Sequence, residues 1–336
     1  MSTEANVKKS EILFLYETSY NIPNGDPFTG EQRYDEETKK ILVSDVRIKR
    51  FVRDYLGSKE NIDIYIQSKS NGEPELNEES NMETESKEEK SGSGSARRID
   101  ELAKKYKDEI NQLLDSKKQK DKKSVFSQAL FVMQKCIDVR LFGGISTKKK
   151  DSVNLTGPVQ FALLNPSLNP VDLRMHQNTS VFESKQGNSQ GAIGTTTLVP
   201  YSVMQIHGWV NPEVAEATEL NVDDLKLMFE GLWYGTSGEG SSFSRSKVGQ
   251  NSVLLLEIVY KEAKKKIYGV DRLISIKPVE GKKGESIRSM DDYEFDLEKL
   301  LALQENNCIE RINYYTEIPE IESQFKGKDI FVKMGI

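Results

Sequence analysis

A chain of 336 residues, 36% of them aliphatic, aromatic or cysteine, is long enough to bury a sizeable core, as one large domain with insertions or as two. No apolar run approaches membrane-spanning length and the first nine residues lack the apolar core of a signal peptide, so an intracellular, cytoplasmic protein without a membrane partner is expected. The net charge of −6 disfavours nucleic-acid binding only if it is evenly spread, and it is not: residues 59–96 carry ten acids against four lysines, residues 289–336 eleven acids against five bases, and the rest of the chain is therefore net basic.

Residues 10–17 form a short apolar run that reads as a buried first strand. Pro23, Asn24, Gly25, Asp26 and Pro27 follow, a tight exposed turn: proline fixes φ, and Asn and Gly tolerate φ > 0. Ile48, Val52, Tyr55 and Leu56 then recur at helical spacing, with Ser44 placed to act as N-cap and Gly57 to end the helix. The other face of this helix carries Arg47, Lys49, Arg50 and Arg53 against Asp45 and Asp54. Such a face can meet phosphates, or it can be an ordinary solvated surface.

Residues 59–96 are rich in Ser, Asn, Gly and Glu and read as an acidic flexible linker, with one short strand at 62–66. A helical insertion is expected over 97–135, its apolar positions running from Ile99 to Leu114, with a further helix near 125–134 and a lysine-rich connector at 117–123 between them. Residues 136–144 read as a strand running into Gly143 and Gly144, which permit close approach of a ligand or of another chain segment. Arg140 in that strand suits either a phosphate or an ion pair inside the sheet. Lys148, Lys149 and Lys150 precede a strand at 155–161.

Residues 171–210 form a long extended excursion, strands at both ends and a polar, glycine-rich stretch at 183–194 between them; long loops of this kind are usually functional or disordered. Met175 is expected in the core. Residues 222–233 make an amphipathic helix. A glycine-flanked loop with Arg245 and Lys247, a plausible phosphate cradle, precedes a strand at 253–260. The acidic extension 261–336 offers a helix near 297–303 and a last strand at 329–333, and no readable function.

Strand, helix, strands, helix, strand suggests an α+β fold with a modified ferredoxin-like core, the palm, made from 1–58 and 136–260. Catalysis has no visible apparatus. His176 and His207 fall in separate strands, and Cys136 and Cys308 lack ligand-spaced neighbours and read as buried thiols, so no cofactor or metal is expected.

Three strings, NGD at 24–26, YDEET at 34–38 and VSDVRIKR at 43–50 continuing to Tyr55, resemble the signature of the CRISPR-associated Cas-seven backbone subunits, of the type I-B and I-C kind within the RAMP superfamily. So do DVRLFGG at 138–144, TGPVQ at 156–160 and the Trp233 to Gln250 series; Ile22 and Tyr34 depart from the usual pattern. The resemblance implies an RRM-like palm, a helical finger and a projecting thumb at 171–210. It also implies a non-enzymatic subunit that holds crRNA, with Lys185 and Gln186 as thumb contacts and with Phe182 or Met175 able to wedge a base. The RNA-binding set so implied is Asn24, Gly25, Arg47, Lys49, Arg50, Arg53, Arg140, Phe142, Gly143, Gly144, Lys185, Gln186, Arg245 and Lys247. Expected partners are crRNA, further copies head to tail, a Cas-five-like subunit, a large Cascade subunit and target DNA, with I-B the preferred branch. Two other readings stand beside it. One is a metal-dependent ribonuclease of the related type III kind using Asp26, with Asp45 also a candidate; the other is a stand-alone single-strand binder.

Overall fold

The computed structural model describes residues 7–67, 94–120, 126–183, 191–238 and 246–336. The first part contains β1 (Ser10–Asn21), β2 (Tyr34–Asp35), β3 (Lys40–Ser44) and α1 (Asp45–Gly57), then α2 (Gly94–Lys105), α3 (Lys107–Lys120), α4 (Gln128–Gln134) and α5 (Ile137–Phe142). The middle comprises β4 (Gly143–Ser146), β5 (Val153–Thr156), β6 (Val159–Phe161), β7 (Leu164–Pro170), β8 (Arg174–Glu183), β9 (Gly191–Val210), α6 (Ala215–Thr218), α7 (Val222–Ser237) and β10 (Gln250–Tyr260). The last part adds β11 (Ser275–Pro278), β12 (Tyr293–Asp296), α8 (Glu298–Leu301), β13 (Ile309–Tyr315), α9 (Pro319–Phe325) and β14 (Phe331–Lys333).

β1 lies at the centre of a mixed sheet ordered β14-β13-β10-β1-β9-β7-β3-β2, with β6 and β8 also pairing with β9. It runs antiparallel to β9 from Ser10 opposite Val210 to Asn21 opposite Val199, and antiparallel to β10 on its other side. Its continuous apolar run follows from burial on both faces. Ile12, Phe14 and Tyr16 pack toward α1 and α7, whereas Leu13 and Leu15 pack toward the segment from Val270 to Phe331. Ile48, Phe51, Val52 and Leu56 of α1 are fully buried on the first face, each contributing roughly 1.5–3 kcal/mol. Helices α1 and α7 cross so closely that a Cβ on Gly235 would stand 2.3 Å from the Phe51 carbonyl oxygen. An Asn221–Asp224 capping box starts α7.

Helices α2 and α4 build a separate small core with Tyr65 and Val139, from Ile99, Leu102, Val132 and Met133. Residues 261–336 do not stand apart from the sheet. β13 pairs with β10 and β14 with β13, extending the sheet beyond residue 260.

Several local expectations change. Residues 136–142 were expected extended, but Ile137–Phe142 is a helix; nearly every side chain in it is buried, so the sequence has no exposed face to reveal a period. Residues 62–66 pair with no strand, because the Asp138 carboxylate takes the Tyr65 and Ile66 N–H groups instead. The strand expected at 155–161 is broken at Gly157 and Pro158 into the ends of β5 and β6. The final two residues of the glycine-serine stretch, Gly94 and Ser95, open α2. Residues 68–93 lie outside the described residues, as do 121–123 of the expected connector, whose first four residues, 117–120, continue α3 instead. Met175, expected in the core, is 72% exposed on β8, a strand that among the described residues pairs only with β9. Cys136 is buried as expected, whereas Cys308 is half-buried. Among the described residues no helix is long and apolar enough to cross a membrane.

Candidate nucleic-acid interface

The first turn of α1 is a ridge between two open clefts. On one side a cleft of about 590 Å³ is lined by Asn24, Gly25, Arg33, Arg47, Arg50 and Leu163 among others. On the other, a cleft of about 990 Å³ lies between α1, α2 and the β4–β5 hairpin, with Lys49, Arg53, Arg97, Arg98, Tyr65 and Phe142 on its walls. Asp45 and Val46 line both.

The turn before β2 is built to support the ridge. Asn24 Oδ1 accepts from the Ser44 N–H at 2.7 Å, and Gln32, buried, accepts from the Asn24 N–H while donating to the Arg33 and Leu42 carbonyls. Ser44 is the N-cap residue by position, but its side chain makes no capping bond. Asn24 therefore acts through the backbone that starts the helix.

Glycines close the larger cleft. Gly143, at φ 77°, crosses Gly157 so tightly that a Cβ on Gly143 would lie 2.2 Å from the Leu155 carbonyl oxygen and one on Gly157 2.0 Å from the Phe142 carbonyl carbon. The close approach expected at Gly143 is thus to another chain segment. Gly144 packs against Met133 and Val139.

The cations expected to hold phosphates divide by burial. Arg53 donates to Asp138 at 2.9 Å, and the two side chains are 11% and 1% exposed. Arg140 makes a two-pronged pair with Asp224 at 2.7 and 2.8 Å, joining α5 to α7 and not acting within the sheet. Burial pushes its guanidinium down, but the Asp224 bonds outweigh that and raise it overall. Lys247, 1% exposed, pairs with Asp54 at 3.1 Å; burial, only partly offset by Asp54, lowers its ammonium below the usual lysine value. Arg140 and Lys247 are structural pairs, since a phosphate would have to break a desolvated bond to reach them, whereas Arg53 engages Asp138 through Nε and also lines the larger cleft. Arg47 donates to Ser246 and lies 4.6 Å from the centre of the Phe51 ring. Lys49 and Arg50 form i,i+4 pairs with Asp45 and Asp54. The Arg50 side chain is 41% exposed, and such pairs contribute only about 0.3–0.5 kcal/mol.

Sequence reasoning missed Arg97, an exposed first-turn residue of α2 on the cleft wall, with no ion pair among the described residues. The insertion was read for its apolar spacing, and two arginines at its start carried no further signal. Phe142 is buried against Phe161, with Arg53 over its ring at 5.4 Å. Lys185, Gln186 and Arg245 lie outside the described residues, and the Phe182 side chain does too.

A family model for CRISPR-associated protein Cas7 matches residues 8–298. The chain belongs to the Cas7 family. A Haloferax volcanii protein described as CRISPR-associated protein Cas7 is 27% identical over 319 residues, covering 89% of this chain and 83% of its own. Among solved structures, a chain of a "CRISPR RNA-guided surveillance complex, pre-nicking" aligns at TM-score 0.54 and 14% identity over 98% of this chain and 96% of that one, which shows a shared fold. A chain of another CRISPR RNA-guided surveillance complex aligns at TM-score 0.48 and 11% identity, covering 97% of this chain and 95% of its own.

In this Cas7 chain Asp26 organises its own turn. Its carboxylate accepts from the Phe28 N–H at 2.9 Å and pairs with Arg33 at 3.2 Å. Asp45 is engaged by Lys49. Among the described residues no three His, Cys, Asp or Glu side chains cluster as a metal site. His207, on β9, meets Glu11 at 2.7 Å, apart from His176 on β8.

Proposed function

We propose that this protein is the crRNA-binding backbone subunit of a type I surveillance complex, of the I-B kind, without catalytic activity of its own. The ridge between two clefts carries the reading. Exposed Val46, Leu163, Ile66 and Ile145 stand on the cleft rims beside Arg50 and Arg97. Cations beside apolar rims suit an extended strand, with phosphates on the charges and bases on the apolar edges. The guide supplies sequence while the protein supplies shape. The strand order β10-β1-β9-β6 with α1 and α7 on one face supports a ferredoxin-like palm. The β8–β9 arm supports a thumb, and α2–α4 a finger. Further copies bind head to tail, a heterologous contact that grows an open helix. A Cas-five-like cap, a large subunit and target DNA complete the assembly.

The test is the mass of the purified protein on single-stranded RNAs of increasing length, with and without Mg²⁺. Mass that rises in steps on intact RNA is expected. One protein per RNA at every length would refute the filament in favour of a stand-alone binder. RNA shortened only with Mg²⁺, and spared by Asp26→Ala, would favour the nuclease.

A further inference from the structure

We propose that the loop following β10, with the sheet surface beneath it, is a second nucleic-acid surface that takes a single strand on the face of the sheet opposite α1. It does not depend on the guide-binding reading.

The side of the sheet is fixed by alternation along β1. Ile12, Phe14 and Tyr16 face α1, so Lys9, Glu11, Leu13 and Leu15 face away from it. Glu11 confirms this by receiving the Tyr260 hydroxyl at 2.7 Å and meeting His207 at 2.7 Å, whose ring lies 4.1 Å from that of Trp209. The loop from Lys261 to Arg272 crosses this same face. Lys9 Nζ donates to the Lys265 carbonyl at 2.8 Å, the Ile267 N–H donates to the Tyr260 hydroxyl, and Gln205 Nε2 donates to the Asp271 carbonyl. Lys9, just before β1, and strands β9 and β10 therefore hold the loop in one place, and its outer side is preorganised.

That outer side has the composition of a single-strand platform. Tyr268 is 83% exposed, and Lys266 Nζ sits 4.7 Å from its ring centre. Lys264, Lys265, Lys266 and Arg272 are exposed; the loop's own carboxylates are Glu262 and Asp271. Lys261 turns instead to a recess shared with Glu310 and Asp329 and is left out. None of these four cations forms an ion pair among the described residues, in contrast to α1, where Lys49, Arg50 and Arg53 are each tied to a carboxylate. Uncommitted charge is what a polyanion recruits. The exposed ring beside the cations favours a single strand, because a base stacks on it whatever its identity.

The test uses full-length protein saturated with single-stranded RNA, titrated with a fluorescent oligo-dT or oligo-rU that cannot pair with that RNA. Lys264→Ala/Lys265→Ala/Lys266→Ala should weaken this second binding and lower its salt slope by about 2. Tyr268→Ala should weaken it about tenfold and Tyr268→Phe should not. Affinity for the first RNA should stay unchanged in every variant. Unaltered oligonucleotide binding in the lysine and Tyr268→Ala variants overturns the proposal, as does an equal loss for both ligands, which would make them one surface. Sensitivity to the lysines but not to Tyr268→Ala overturns it in favour of phosphate contact alone, without a stacking platform. Should no first RNA bind at all, the guide-binding reading fails by itself, and the same titration of the free protein still decides this one.

Discussion

Replacing Asp138 by alanine tests the claim that one buried carboxylate holds the wall of the larger cleft. Asp138 is 1% exposed by side chain and takes three donors: the Arg53 Nε at 2.9 Å, the Tyr65 N–H at 2.7 Å and the Ile66 N–H at 3.1 Å. Its removal strands a guanidinium that is itself 11% exposed, and orphaning one member of a buried pair costs about 3–5 kcal/mol. Two unpaired backbone N–H groups add about 1–3 kcal/mol each, less whatever water entering from the cleft returns. A net loss of about 4–6 kcal/mol follows, a large part of the total stability of an ordinary domain. Urea denaturation of Asp138→Ala against the parent measures it, through the shift in midpoint at unchanged slope. Asp138→Asn should lose somewhat less, because its amide oxygen can still accept from Arg53 and Ile66, but the charge is gone and the amide nitrogen then faces the Tyr65 N–H, donor against donor. Adding Arg53→Met to Asp138→Asn should then cost less than about 1 kcal/mol further, since the two act as one unit. A loss below about 1 kcal/mol in Asp138→Ala, or full additivity in the double variant, would refute the reasoning.

Gly235→Ala should destabilise by about 2–3 kcal/mol despite alanine's better helix propensity, because its Cβ would meet the Phe51 carbonyl oxygen at 2.3 Å; a thermal midpoint equal to the parent's would show that the helices can part cheaply. Lys247→Met should cost roughly 2 kcal/mol, below the usual penalty for an orphaned buried charge because Arg50 still holds Asp54. It should leave the salt slope of RNA binding unchanged, whereas Arg97→Ala should lower that slope by about 0.7 without altering stability. The Asp63 carboxyl is penalised by burial, but bonds from Lys105 and the Tyr106 hydroxyl outweigh this and lower its pKa. Its contribution is therefore present above the ordinary aspartate value and is lost as pH falls through the folded value. The stability gap between the parent and Asp63→Asn should narrow below about pH 4, and a gap constant from pH 7 to pH 2 would contradict the assignment.

Elements whose two faces differ were legible in the sequence. α1 and α7 fell within a few residues of their expected bounds because each sets an apolar stripe against polar positions. β1 was found from its apolar run, though its true end at Asn21 lies beyond the polar residues Glu17, Thr18 and Ser19, which a ladder on both sides can carry and a run-based reading cannot see. α5 failed for the opposite reason. With Ile137, Val139, Leu141 and Phe142 all buried, strand and helix predict the same string, and only tertiary contacts choose between them. In the C-terminal 76 residues the helix expected near 297–303 contains α8 and the strand expected at 329–333 contains β14, whereas β13 was hidden because its burial alternates weakly.

Residue types at the candidate site were legible, but their roles were not, and the difference is one of pairing distance. A cation's partner can be guessed when it sits one helical turn away, as with Lys49 and Asp45 or Arg50 and Asp54. Arg53 and Asp138 are 85 positions apart and Arg140 and Asp224 are 84 apart, so nothing local shows that these guanidinium groups already hold a carboxylate. The same pairs explain how a net-acidic chain keeps a basic string in α1 without self-repulsion. Buried carboxylates on α5 and α7 absorb the inward cations, join the helices to one another, and leave the outward ones, Arg50 on α1 and Arg97 on α2, to face the clefts. A string that reads as a phosphate comb is thus two things at once, an internal brace and a short contact edge, and the brace fixes where the edge can stand.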